Sequence, residues 1–239
     1  IPSELCYYNE IQTGPGPMAD AGDLSWLYNT EKELGTMANI LYSKGLTFTP
    51  AEINMSIRPG WFWHPKEEPH SLERLFNTYL LSVGGNSCFH LNLPPTTEGL
   101  IDKRDVRRLK ELRDLLDTEF SSEIPFRLEK DETSPVTQPY YRLILEEPVK
   151  EIKYVILQED IAQGQRVESF RITADFSSGN QYPIYQGTCI GNKKICQLQD
   201  PFAEQNPLTD DTAETISQVQ LRITAARDEA LLKSIKLYR

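Results

Sequence analysis

Apolar residues recur at helical spacing between Ser71 and Ser82: Leu72, Leu75, Phe76, Tyr79 and Leu80 fall at i, i+3, i+4, i+7 and i+8. Such a stripe predicts an amphipathic helix with one face turned to a core. Ser71 stands where an N-cap side chain accepts a backbone N–H, and Gly84-Gly85 ends the pattern. The same spacing returns from Lys103 to Leu116, where Val106, Leu109, Leu112, Leu115 and Leu116 share a face and Asp102 can cap. Between the two, Cys88 to Leu93 is a short, mostly apolar run closed by Pro94-Pro95, which predicts a buried strand. Helix, buried strand, helix is the order of a parallel α/β unit. Upstream, a further helix is predicted over Glu31 to Tyr42, with Thr30 as cap, Leu34, Met37, Ile40 and Leu41 in register and Gly45 beyond its end. The rest of residues 1–50 is rich in turn chemistry and reads as loops joined by short elements.

The period changes after Glu129 to Pro135, a charged, proline-containing stretch of the kind that separates domains. Beyond it, β-rich runs alternate with turns: Tyr140 to Leu145, Val149 to Gln158, Arg166 to Asp175, Gln181 to Gln186, Lys193 to Leu198, Gln218 to Thr224 and Ser234 to Tyr238. No amphipathic helix interrupts them, and this spacing predicts an antiparallel β-sandwich. The expected fold class is α/β followed by all-β, with residues 1–130 an incomplete α/β piece and residues 136–239 a complete sandwich.

With 239 residues, 39% of them hydrophobic, the chain can bury a sizeable core. Its 25 basic and 35 acidic side chains leave a formal charge of −10, which repels phosphate backbones and anionic lipid, so nucleic acid and membrane are not expected partners. No apolar run approaches the roughly 20 residues that cross a bilayer. The first residue is Ile1 and no export signal opens the chain, so a larger or processed product is expected. Cys6, Cys88, Cys189 and Cys196 are too widely spaced for a zinc motif, and with only His64, His70 and His90 beside them neither a metal nor another cofactor is expected. Cys189 and Cys196 are compatible with a disulfide or with buried free thiols.

Chemistry-bearing side chains are densest at PAEINMSIRPGWFWH, residues 50–64, which holds Glu52, Arg58, Trp61, Trp63 and His64. Flat aromatics beside a carboxylate, a guanidinium and an imidazole suit a sugar, whose apolar face stacks while its hydroxyls take hydrogen bonds. The same composition describes a buried aromatic corner with one ion pair, and residue types alone leave both readings open. In the sandwich, Tyr182, Tyr185 and Phe202 are the candidates for exposed sugar-binding aromatics.

The segment at 50–64 closely resembles the PAE…SIRPGWFYH stretch of the family 29 glycoside hydrolases, the α-L-fucosidases. SVGGN at 82–86 and LNLPP at 91–95 resemble that family's "SVGRN…LLN.PP", and GLID at 99–102 its "GLI…D". QEDIAQGQRV at 158–167 and IGNKKI at 190–195 resemble its "EDI..GQRV" and "IGYKRI" strands. Several motifs in the same order carry far more weight than one.

The resemblance implies the C-terminal part of a (β/α)8-like barrel followed by a β-sandwich, in an enzyme that releases terminal α-L-fucose with retention. Retention requires a nucleophile and an acid/base carboxylate about 5 Å apart. The family's nucleophile is an Asp on an earlier barrel strand, and no stretch of these residues matches its setting. For the acid/base, a Glu in a "GNE" context, Glu10 in Tyr8-Asn-Glu10 is the first candidate and Glu31 the second. The resemblance further implies Trp61 stacking on fucose, His64, Arg58 and Glu52 around the substrate, and a fucosylated oligosaccharide or glycoconjugate, α-1,3/1,4-linked, as partner. An upstream barrel portion and a secreted or periplasmic location are expected. Glu52 and Arg58 have a second reading as residues that hold the loop in shape, because charged groups in a buried loop are normally paired.

Overall fold

The computed structural model describes residues 52–162, 164–198 and 214–239 and, before them, two short strands, β1 (Cys6–Asn9) and β2 (Leu46–Thr49), which pair antiparallel. Glu10, Glu31, the helix expected over 31–42 and Phe202 lie outside the described residues.

From residue 52 the chain forms β3 (Glu52–Ser56), α1 (Leu72–Ser82), β4 (Cys88–Asn92) and α2 (Lys103–Glu119), with β3 and β4 parallel. Both helices start as their sequences predict. The Ser71 hydroxyl accepts the Arg74 N–H at 3.2 Å and the Asp102 carboxylate accepts the Arg104 N–H at 2.9 Å, each satisfying a donor that the first turn leaves orphaned. Met55, Ile57, Leu91 and Leu93 turn to one side of the two strands and pack with Leu72, Leu75, Phe76, Leu109, Leu112 and Leu116.

Two expectations need correction here. The first residues of the 50–64 segment are the strand β3 rather than loop, pinned by its parallel register with Cys88 to Asn92. The strand β4 is buried on one face only: Phe89 and Leu91 are half-buried, while Cys88 and His90 are exposed. Its sequence alternates polar and apolar residues, and alternation places successive side chains on opposite faces.

Eight strands build the sandwich. One sheet runs β5 (Phe126–Lys130), β6 (Tyr140–Val149), β11 (Ile216–Ala226), β8 (Val167–Phe176), β9 (Gln181–Gly187); the other runs β10 (Lys194–Gln197), β7 (Tyr154–Glu159), β12 (Leu232–Tyr238). Every pairing is antiparallel. Leu143, Phe170, Ile172, Val219 and Leu221 of the first sheet meet Val155, Leu157, Cys196 and Leu237 of the second in one core. The charged stretch from Glu129 to Pro135 takes in the last two residues of β5 and the start of its connection to β6, adjacent strands of one sheet, so the sandwich sheet begins at Phe126. Cys189 and Cys196 are both buried and are not bridged to each other, which removes the disulfide reading.

The second sheet is covered on both sides. Val155 and Leu157 face the first sheet, while Tyr154 and Ile156 join Leu80, Ile195 and Tyr238 against Phe76, Tyr79 and Phe120 of the helical unit. The Phe120 ring lies 5.2 Å from Tyr154 and 5.5 Å from Tyr238. Burial on two faces explains why β7 reads as an unbroken apolar run. The architecture is therefore three layers: the five-stranded sheet, the three-stranded sheet and the helices.

Candidate functional site

The loop that follows β3 is organised around Arg58, whose side chain is fully enclosed. Its Nε donates to Asp105 Oδ2 at 2.9 Å, its Nη2 lies 3.1 Å from Asp102 Oδ2, and its Nη1 donates to the carbonyl oxygens of His64, at 3.2 Å, and Glu67. Asp102 and Asp105 stand three residues apart, one helical turn, so the N-terminus of α2 presents both to the same guanidinium. Trp63 Nε1 donates to Asp102 Oδ2 at 2.9 Å, and Arg104 binds Asp102 at 2.7 Å and Glu68 at 2.7 Å. Hydrogen bonds from Arg104, first from its side chain and then from its backbone, and from Trp63 hold the Asp102 carboxyl far below the ordinary carboxylate range. A buried charge is tolerated only when paired and hydrogen-bonded, and this network supplies both.

Set on that support, Trp61 is 57% exposed and Phe62 79% exposed. The Trp61 carbonyl accepts the Asn92 side-chain amide at 3.0 Å, and the same amide reaches Ser56 Oγ at 3.2 Å. Asn92 and Ser56 are register partners at the last positions of β4 and β3. Two open aromatic rings thus stand at the C-terminal ends of two parallel strands, the end at which parallel α/β folds place their ligands.

The remaining residues singled out by sequence are spread differently. Arg58 is fully enclosed between the Asp102 and Asp105 carboxylates at the start of α2 and the His64 and Glu67 carbonyls, the arrangement of a residue that holds the loop in shape. Glu52 occupies the first position of β3, about 13 Å of strand from Ser56. It lies 3.9 Å from His90 Nδ1 at the opposite end from Trp61, which corrects its grouping with the aromatic loop. His64 is exposed, and its backbone carbonyl accepts both Arg58 and the Glu67 N–H, closing the turn after the aromatics. Tyr185 stacks on Phe170 at 5.9 Å in the sandwich core and Tyr182 packs edge-on to Phe176 at 5.5 Å, so the pair does not form an open aromatic platform. Asp105, Asn92 and Trp63 escaped notice as supports; the Asp102/Asp105 spacing was the readable signal for the first of them. Among the described residues no group of His, Cys, Asp and Glu gathers to hold a metal, and no helix is long and apolar enough to cross a membrane.

No protein-family model matches the chain. Individual proteins do. "Alpha-L-fucosidase 1" of Arabidopsis thaliana is 28% identical over 221 residues, spanning 81% of this chain and 41% of that protein. "Putative alpha-L-fucosidase 1" of Oryza sativa subsp. japonica is 32% identical over 181 residues, spanning 64% of this chain and 35% of that protein. Among solved structures, a GH29 fucosidase of Ruminococcus gnavus in complex with fucose superposes with a TM-score of 0.67 at 21% identity, over 82% of this chain and 42% of that one, and so shares the fold. The chain is similar to α-L-fucosidases over most of its length and shares the fold of a family 29 glycoside hydrolase. It spans less than half the length of these relatives.

The motifs that carry the resemblance to the family 29 glycoside hydrolases converge at the seam between the helical unit and the sandwich. Gly84 accepts the Ile195 N–H at 2.8 Å, joining the SVGGN turn to β10. Asn86, at φ 66, accepts the Asn192 N–H at 2.7 Å and donates to Gln165 Oε1 at 3.2 Å. Glu159 is 2% exposed and accepts the N–H groups of Arg166 at 2.6 Å, Val167 at 3.0 Å and Gly191 at 3.1 Å. Burial pushes its carboxyl upward and the three amides pull against that. The sequences around 82–86, 158–167 and 190–195 are thus one hydrogen-bonded joint.

Proposed function

We propose that this chain is the C-terminal portion of a retaining exo-α-L-fucosidase, in which β3 and β4 are late strands of a (β/α)8-like barrel and Trp61 stacks on the apolar face of the fucose ring. The observation that carries this reading is the exposed Trp61 held at the C-terminal ends of two parallel strands by Asn92 and the Arg58 network. Fucosidase names among the relatives support the substrate class. Glu10 is the acid/base in this reading, with Glu31 the second candidate; an Asp from an upstream barrel portion is the nucleophile, close enough to form a covalent glycosyl intermediate. As acid, the carboxyl must enter the reaction protonated, which requires a pKa raised by burial or by the nucleophile's charge. The aglycone is a glycan carrying α-1,3- or α-1,4-linked fucose, and the protein works outside the cytoplasm, secreted or periplasmic.

The test is hydrolysis of an aryl α-L-fucoside by the chain joined to its upstream sequence and by residues 1–239 alone. Activity in the first preparation only, abolished by Glu10→Gln, is the expected result. Turnover by the 239 residues alone overturns the placement of the nucleophile upstream, and full activity of Glu10→Gln with loss in Glu31→Gln transfers the acid/base role.

A further inference from the structure

The five-stranded sheet carries a cavity of about 360 Å3 on its outer side, away from the Trp61 loop, where the connection from β5 to β6 folds over the end of β11. That size is within the range of small-molecule sites. Its frame is built of hydrogen bonds. The Ile223 N–H donates to the Pro139 carbonyl at 3.0 Å, and the Asp131 N–H to the Tyr140 carbonyl at 2.9 Å. Ser134 Oγ accepts the Tyr140 N–H at 3.2 Å, and Asp131 Oδ1 accepts the Thr133 N–H at 2.9 Å and its hydroxyl at 2.6 Å. The Tyr140 hydroxyl donates to Gln220 Oε1 at 2.6 Å, and Gln220 in turn donates to Asp175 at 2.7 Å.

Pro135 and the Tyr140 ring give this frame an apolar wall, while Asp131, Gln138, Arg222 and Thr224 give it polar groups of both signs. Arg222 lies over the Tyr140 ring at 5.2 Å and is exposed, which fixes the guanidinium at the mouth with its fork of donors on offer. A guanidinium, a carboxylate and an amide in one cavity whose opposite charges balance match adjacent hydroxyl pairs, and a ring edge matches a C–H face. Anions are disfavoured by Asp131 and by the chain's charge of −10. An extended peptide needs an open sheet edge, whereas β6 and β11 are interior strands.

We propose that the cavity between the β5–β6 connection and β11 is a binding site for a neutral sugar unit of a glycan, held by Arg222, Asp131 and Gln138 and separate from the Trp61 loop. This does not depend on the fucosidase reading: a chain without hydrolytic activity would still bind here.

Saturation-transfer NMR and titration of the full chain with the methyl glycosides of galactose and N-acetylglucosamine, each to about 20 mM, tests it in the affinity range of single sugars. Binding of at least one glycoside is expected, weakened about tenfold or more by Arg222→Ala and by Gln138→Ala, as for loss of a hydrogen bond to a held polar group, and unchanged in Trp61→Ala. Both cavity variants change exposed side chains, and an unchanged melting temperature confirms that they fold. Absence of transfer to both glycosides overturns the proposal, as does binding lost in Trp61→Ala and kept in Arg222→Ala.

Discussion

At the residue scale, the aromatic loop divides into side chains that hold and side chains that are held. Trp61 belongs to the second group, and its ring is free to stack. On the proposed fucosidase reading, Trp61→Ala in the chain joined to its upstream sequence is expected to lower kcat/KM on an aryl α-L-fucoside about tenfold, the cost of losing one aromatic platform of about 1.4 kcal/mol. Asp105 belongs to the first group. Asp105→Asn leaves the Arg58 guanidinium enclosed with a weakened partner, and unfolding in urea should register a loss of about 3 kcal/mol. Asp102 adds a pH dependence. Its folded-state pKa lies below the ordinary value of 3.8, so the stability it confers is complete above about pH 4 and drains away as pH falls below it. Asp102→Asn keeps a good N-cap while removing that charge. An acid-unfolding curve of this variant should therefore be flatter below pH 4 than that of the parent.

At the element scale, α1 and β10 meet through glycine. A methyl group at Gly84 would stand 2.2 Å from the Leu80 carbonyl and 2.7 Å from Ile195 Cβ, both parts of packed structure. Gly84→Ala must therefore spread the helix from the strand. We expect a loss of about 2 kcal/mol in thermal or chemical unfolding, in the range of overpacked sites. Strand and helix patterns were largely legible: Ser71 and Asp102 cap the helices they were expected to cap, and seven runs after residue 139 became strands. The strands β3 and β5 were among those that were not. In β5 three of five residues, Arg127, Glu129 and Lys130, are charged, which masks its apolar positions; β3 was hidden because its Pro and Gly neighbours make the whole segment look like loop.

At the scale of the molecule, the three-stranded sheet is the shared layer. It closes the sandwich core with Val155 and Leu157 and receives the helical unit on Tyr154 and Ile156. Residues 121–239 produced alone would expose that second face, and an exposed apolar patch of this kind drives association. Analytical ultracentrifugation should find the sandwich segment self-associating, and Ile156→Lys in that segment should restore a monomer. A monomeric, soluble parent segment would show that the helices contribute little to covering β7.

Local periodicity, capping residues and turn chemistry are properties of neighbouring positions, so Ser71 to Ser82, Lys103 to Leu116 and the strands after Pro139 were decided by the sequence itself. The motifs at 50–64, 82–86, 158–167 and 190–195 likewise carry the resemblance to the family 29 glycoside hydrolases in the sequence alone. Pairing across long separations was decided only by the folded chain. Nothing local tells that Asn86 meets Gln165 and Asn192, that Arg58 is enclosed between Asp102 and Asp105, or that Glu52 and Trp61 stand at opposite ends of β3. Whether an Arg or a Glu faces sugar or anchors a loop depends on which distant groups fold around it, because burial and partners, rather than residue type, set what a charge can do.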